Sequence, residues 1–329
     1  MNKKIDNVGI LGIGSAVPEK VLTNFDLEKI VDTSDEWIVK RTGIHERRVL
    51  ETNEPAYTYG IMAAESALKS SGIEASEIGL IITTTETPDY LSPSTSCLIQ
   101  HGIGAINAAA FDLSAACSGF VYGLTVAKQF IQTGYYKHVL VVACEGITKV
   151  VDWTDRGTCV LFGDGAGAAV VGEVEEGYGI LNTHIGADGS QGNCIKIPGC
   201  YAEEIDPGEI RKYIHMEGGE VFKFAVKIME EATLKVLEGT GISLDDISLI
   251  IPHQANQRII EGAGKRLGVP IEKIVSTLGK YGNNSSASIP VALNDVLKNS
   301  ESIKKGDYIV LVAFGGGLTW SSALIKWNM

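Results

Sequence analysis

The sequence predicts an α/β fold made by internal duplication, and three observations carry that prediction. Strand-like apolar runs alternate with helix-period stretches through the first half of the chain. The segment "SGIEASEIGLIITTT" (71–85) returns as "TGISLDDISLIIPHQ" (240–254). Gly72, Ile73, Ile78, Leu80, Ile81 and Ile82 recur as Gly241, Ile242, Ile247, Leu249, Ile250 and Ile251, an offset of 169. Further on, "HVLVVACEG" aligns with "DYIVLVAFGG", Val142 and Ala143 falling on Val312 and Ala313 at offset 170. A near-constant offset over two separated stretches marks a repeated supersecondary unit.

The elements follow in order. "NVGILGIG", "IGLIITTT", "AAAFDL", "HVLVVAC", "CVLF" and "GAAVVGEV" read as strands. Residues 118 to 133 read as a helix, with Phe120, Val121, Leu124, Ala127, Phe130 and Ile131 on one face and Gly134 as its stop. At offset 170, Cys117 falls opposite Ala287, so the helix after Cys117 matches one after "GNNSSASIP", where Pro290 sits near the helix start. The boundary between halves is expected near residue 172, giving units 1–172 and 173–329. No Ser- or Pro-rich linker separates them, so they are expected to pack as one body. The Gly-rich "FGDGAG" (162–167) and "FGGGLTW" (314–320) are followed by strand-like rather than helical residues. That excludes dinucleotide and P-loop readings and leaves hairpin-like turns.

Composition narrows the function. The 329 residues are 45% hydrophobic and 21% charged, which suits a chain with a large core. A formal charge of −12 would repel nucleic acid and anionic membranes. An acidic ligand or partner then needs a local basic patch. Six cysteines (Cys97, Cys117, Cys144, Cys159, Cys194, Cys200) form no C-x-x-C pair and no zinc-site spacing, which points to a reducing compartment, no metal and a cytoplasmic protein. No apolar run reaches the ~18 residues of a membrane span.

Candidate chemistry begins at "FDLSAACSGF" (111–120), where Cys117 follows a strand and opens a helix. Backbone N–H groups and the helix dipole at that junction favour a thiolate, and the small neighbours would give a substrate room. A cysteine among small residues is equally a buried apolar filler, so a partner has to decide. His253 in "IPHQAN" stands at the carboxyl end of the second copy of a strand, the side on which α/β sheets place ligands. Asn283 and Asn284 lie in a polar loop before another helix; turn and catalytic roles are both open. Gly315 to Gly317 could bring a backbone N–H against a reacting carbonyl. The helix expected to begin near Gln254 carries Ile259, Ile260, Ala263 and Leu267 on one side and Arg258, Lys265 and Arg266 off it, a candidate basic patch or a plain solvated face.

Seven spaced motifs, taken together, resemble the thiolase superfamily and within it the β-ketoacyl-acyl carrier protein synthase III family of initiating condensing enzymes. They are "TSDEWIVKRTGI", "DLSAACSGF", "DRGTCVLFGDGAGA", "GGEVFKFAV", "PHQANQRI", "YGNNSSASIP" and "AFGGGLTWSSAL", and they span essentially the whole chain. The resemblance implies a five-layer α-β-α-β-α fold, a homodimer, and a Cys-His-Asn set that transfers onto Cys117, His253 and Asn283. It implies that Cys117 takes an acyl group, expected to be acetyl, from acyl-CoA, and that malonyl-acyl carrier protein decarboxylates and attacks it. No cofactor is implied beyond the coenzyme A thioester itself. The N–H groups of Cys117 and Gly316 would form the oxyanion site. Coenzyme A and substrate contacts transfer onto Trp37, Arg41, Arg156, Phe222, Asn256 and Phe314, and carrier-protein docking onto Arg258, Lys265 and Arg266. Two positions depart from the family pattern: Asn284 stands where Thr is common, and Gly219 where a longer polar residue is common.

Four other classes compete. A condensing enzyme of polyketide or quinolone type would share the Cys-His-Asn set. Hydroxymethylglutaryl-CoA synthases use a glutamate as general base, and "TTTETPD" departs from their pattern. A non-catalytic acyl-chain or carrier-protein binder would lack the nucleophile, and a papain-like hydrolase would lack the duplication.

Overall fold

A computed structural model describes residues 5–199, 213–298 and 302–329; Cys200 lies outside the described residues. The chain opens with β1 (Val8–Ala16), then a short antiparallel pair, β2 (Val21–Thr23) and β3 (Glu46–Arg48), enclosing α1 (Asn24–Leu27) and α2 (Asp35–Thr42). There follow α3 (Ala56–Ser71), β4 (Leu80–Thr84), α4 (Thr95–Gly102), β5 (Ala109–Leu113), α5 (Gly119–Gln132), β6 (Val139–Glu145) and β7 (Gly165–Glu173). These build a five-stranded sheet in the order β1-β7-β6-β4-β5, with β4 parallel to β5 and β6. After residue 173 the chain enters a second sheet. The remaining elements are β8 (Gly179–Ala187), β9 (Ile195–Lys196) and β10 (His215–Met216), the last two forming a separate antiparallel pair, then α6 (Gly218–Leu237), β11 (Ile247–Pro252), α7 (Gln257–Leu267), α8 (Leu278–Tyr281), α9 (Ser288–Lys298), β12 (Tyr308–Gly315) and β13 (Thr319–Lys326). The sheet runs β11-β12-β13-β8, with β11 parallel to β12.

Five layers result. α3 covers the outer face of the first sheet, α5 and α9 lie between the sheets, and α6 with α7 covers the far face of the second. Strand periodicity explains why the strands read as continuous apolar runs: both faces are buried. In β6, Val139, Val141 and Ala143 face the central layer while Leu140, Val142 and Cys144 face α3. In β12, Ile309, Leu311 and Ala313 face the centre and Val310, Val312 and Phe314 face α6.

Three expectations are corrected. "CVLF" (159–162) is not a strand. Thr158 and Cys159 N–H both donate to Asp155 O, and Leu161 N–H to Thr158 O, so the segment coils and keeps one bridge, from Phe162 to Asn283. The helix expected near Gln254 begins at Gln257, because Asn256 caps it and the Gln254 amide is committed to Pro252 O, Val275 O and Thr277 N–H. Of the two Gly-rich stretches only the second makes a hairpin turn, joining β12 to β13; Gly165 instead starts β7.

Candidate active site

The carboxyl ends of the parallel strands of both sheets meet at one place, and the two central helices begin there. Cys117 sits inside a single 3-10 turn, Ala116–Ser118, that feeds α5. Ala116 has φ 50, a left-handed conformation that costs a residue with a Cβ about 1–3 kcal/mol. The turn Ser285–Ala287 ahead of α9 repeats this shape, with Ser285 at φ 48. Matching the two strained residues sets the repeat offset at 169 here, so Cys117 lies opposite Ser286 and not Ala287 as expected.

The small residues around Cys117 also do something other than expected. Of residues 114–119 only Cys117 lines the cavity. A Cβ on Gly315 would fall 2.6 Å from the Cys117 backbone nitrogen, and one on Gly119 would fall 2.9 Å from Thr84 Cβ. The small side chains let the surrounding elements close on Cys117. Burial, then the charges of Glu86 and Glu145, push the Cys117 thiol pKa up, against the thiolate that the helix start alone would favour.

His253 follows β11. Its N–H donates to Val312 O at 2.8 Å, and its Nδ1 lies 2.7 Å from Ser288 Oγ, the first residue of α9. The Gln254 N–H donates to the same hydroxyl at 3.3 Å. The Phe314 ring meets the imidazole edge to face at 5.4 Å. Burial drives the His253 pKa down to about 3, so the ring is neutral at physiological pH. Asn283 is pinned by two backbone bonds, its N–H to Leu161 O at 2.9 Å and its C=O from Gly163 N–H at 3.1 Å. Its Oδ1 accepts the Ser285 N–H at 2.8 Å, so the amide NH2 is the end that remains to donate. Asn284 is structural: its Nδ2 donates to Asp164 O and Tyr281 O.

A cavity of about 850 Å³ joins these groups to the surface. Cys117, His253, Asn283, Phe314 and Gly316 line it together with Trp37, Arg41, Arg156, Phe222, Asn256 and Arg258. Arg41 and Arg156 stand 5.1 and 4.9 Å from the Trp37 ring centre, and Arg258 stands 5.4 Å from that of Phe222. Asn256 caps α7 and donates to Arg41 O at 3.1 Å, tying α2 to α7. Gly219 borders the opening, and a Cβ there would meet nothing within 4 Å. Lys265 and Arg266 lie outside the cavity; Lys265 is exposed, and Arg266 is ion-paired with Glu230. Among the described residues no cluster of His, Cys, Asp or Glu is placed to hold a metal, and no helix is long and apolar enough to cross a membrane.

Sequence reasoning missed four residues. Lys223 adds a cation to the cavity wall, and Ser288 supports His253. Glu86, from "TTTETPD", lines the cavity with its Oε1 4.0 Å from Cys117 Sγ and 2.6 Å from Ser285 Oγ. Behind it Glu145 accepts from Thr85 Oγ1, Glu86 N–H, Thr87 Oγ1 and Ser286 Oγ. The repeat held the signal: at offset 169 residues 84–86 match 253–255, the strand end that supplies His253.

Two sheets that aim equivalent helix starts at one cationic-mouthed cavity define a condensing acyltransferase of the thiolase fold. Residues 111–189 match the family described as 3-oxoacyl-[acyl-carrier-protein] synthase III, and 237–327 match its C-terminal part. The β-ketoacyl-[acyl-carrier-protein] synthase III of Caldanaerobacter subterraneus is 52% identical over 97% of this chain and 98% of its own. The crystal structure of 3-oxoacyl-[acyl-carrier-protein] synthase III from Aquifex aeolicus superposes with a TM-score of 0.92 at 47% identity, over 98% of this chain and all of its own. The priming β-ketosynthase of the R1128 polyketide pathway superposes at 0.93 with 36% identity, over 100% and 98%. This chain belongs to the 3-oxoacyl-[acyl-carrier-protein] synthase III family.

Proposed function

We propose the following division of labour for the initiating condensation of fatty-acid synthesis, in which an acyl group from acyl-CoA is joined to malonyl-acyl carrier protein. Cys117 attacks the acyl thioester and holds the acyl group; a sulfur nucleophile is also a good leaving group, so it can pass that group on to carbon. The N–H groups of Cys117 and Gly316 bind the oxyanion at this stage. Malonyl decarboxylation then puts charge on a thioester oxygen. The Asn283 NH2 and the His253 Nε2–H donate to it, which requires Ser288 O–H to donate to Nδ1.

Trp37 offers its indole face to adenine, and Arg41, Arg156, Lys223 and Arg258 offer four cations to the phosphates of coenzyme A or of the carrier's prosthetic arm. Phe222 and Asn256 shape that channel, and Phe314 walls the acyl end. Lys265 and Arg266 with Arg258 receive the acidic carrier protein, with Arg266 weakened by Glu230. The primer is acetyl, no cofactor is used, and the protein works in the cytoplasm. The chain divides near residue 172 into two halves. It acts as a homodimer: β5 is an edge strand, and the exposed Leu91 and Ile106 lie in segments leading to it.

The observation that carries this reading is the single cavity lined by Cys117, His253 and Asn283 behind a cationic mouth. The test uses intact-mass spectrometry with acetyl-CoA. Wild type gains one acetyl group on Cys117 and C117A gains none, while H253A is acetylated yet makes no ketoacyl product. Acetylated C117A protein overturns the nucleophile assignment.

A further inference from the structure

The reaction assigned to Cys117 leaves a proton unaccounted for. The thiol is protonated at rest because burial and two nearby carboxyls oppose its ionisation, so acylation has to move that proton. His253 is a poor acceptor: its ring is buried and its affinity for a proton is far below that of free imidazole. The carboxyl within reach of the sulfur is Glu86, with the Ser285 hydroxyl beside both. It comes from the loop after β4, its Oε1 4.0 Å from Sγ, and that same oxygen accepts the Ser285 hydroxyl at 2.6 Å.

Resting on the assignment of Cys117 as acyl acceptor, we infer that Glu86 is a catalytic base and proton store for Cys117. As the acyl group arrives, the Glu86 carboxylate takes the thiol proton, the Cys117 sulfur bonds to the acyl carbon, and the coenzyme A thiolate leaves and is protonated by water at the cavity mouth. Glu86 keeps its proton while the thioester stands. When the malonyl carboxylate departs as carbon dioxide, its electron pair goes to the new carbon–carbon bond, Cys117 leaves as thiolate, and Glu86 returns the proton to it. One solvent proton is consumed per turnover, as decarboxylative condensation requires.

The surroundings equip Glu86 for both protonation states. Two titratable groups act on it, Glu145 from β6 and Cys117 from the turn before α5, and the neutral His253 lines the same cavity. Glu145 is pushed up by burial as well, but it accepts four hydrogen bonds that favour its charged form against that burial. Glu86 accepts one from Ser285 besides the weak one from the thiol, and burial together with the Glu145 charge raises its pKa to about 8. A base poised that high is stronger than an ordinary carboxylate and is still partly ionised near neutrality. Ser285 also connects the store to the other half of the site, since its N–H holds the Asn283 Oδ1 at 2.8 Å.

The test is single-turnover acylation of wild type, E86Q and E86D by acetyl-CoA between pH 6 and 9.5, read by intact mass, with malonyl-acyl carrier protein decarboxylation measured beside it. Wild-type acylation is expected to rise with pH and level off above about 8. E86Q, which keeps the shape and a partner for Ser285, should acylate about 100-fold more slowly at pH 8 and lose that plateau. Its decarboxylation should change by less than about threefold. E86D should restore part of the rate and the plateau. If E86Q keeps the wild-type rate and profile, the inference fails while the Cys117 assignment stands. If acylation and decarboxylation fall together in E86Q and E86D alike, Glu86 is structural. Absence of label on Cys117 in wild type would overturn the nucleophile itself.

Discussion

A methyl group on Gly315 would stand 2.6 Å from the backbone nitrogen of Cys117 and 2.9 Å from the Ala116 Cβ. The end of β12 therefore presses directly on the turn that carries Cys117. One of the atoms in the way is backbone, and it cannot swing aside as a side chain could.

The substitution G315A is expected to cost about 1–3 kcal/mol of stability, the usual penalty for overpacking. Acyl-enzyme formation should fall by more than about tenfold, because a displacement of a few tenths of an ångström misaligns the sulfur and its N–H. Urea unfolding and acylation kinetics check both. A variant with full acylation would show that the turn tolerates displacement.

Stability should depend on pH at both limbs, through different residues. Folded His253 titrates at about 3 against an ordinary 6.5, so the unfolded chain binds the extra proton between those values. Its stabilising contribution is complete above 6.5 and is lost as pH falls toward 3. Glu86 has the opposite sign: at about 8 against 4.5, the folded state binds the extra proton, so its contribution is complete below 4.5 and is lost as pH rises through 8. E86Q should therefore gain stability relative to wild type as pH goes from 5 to 9. A difference that does not change with pH in urea melts would contradict the shift.

Carrier docking is tested most cleanly at Lys265. Arg258 borders the cavity and stacks on Phe222, so reversing its charge would disturb acyl-CoA as well. Arg266 is already paired with Glu230. K265E is expected to raise the KM for malonyl-acyl carrier protein by about three- to tenfold and to leave acetylation by acetyl-CoA within twofold, an effect that fades with added salt. Equal losses in both steps would place Lys265 outside carrier recognition.

Much of this molecule was legible in the order of its residues. The repeat at 71–85 and 240–254 became β4 and β11, and the 118–133 periodicity became α5 with Gly134 left-handed at φ 71. Cys117, His253 and the Asn283–Asn284 pair stand out at strand ends and helix starts, the family resemblance singles out Asn283, and Cys117, His253 and Asn283 line one cavity. Glu86 was not found, because a glutamate after a threonine run looks like any loop residue until its neighbours are known. "CVLF" was misread for a related reason: a short apolar run has the composition of a strand, and turn bonds from Asp155 outweigh that composition only in the folded chain.

The sequence by itself determined the duplication and the strand and helix periodicities, since these rest on local pattern and spacing, and it marked Cys117, His253 and Asn283 as candidates through the family resemblance. Tertiary structure alone decided the protonation landscape. A cysteine at a helix start is acidic in isolation, yet burial beside Glu86 and Glu145 reverses that tendency. Burial keeps His253 neutral well below the pH at which a free imidazole protonates. Desolvation and charge proximity depend on what surrounds a group in space, and residues 86, 117, 145, 253 and 285 are brought together only when the two halves close.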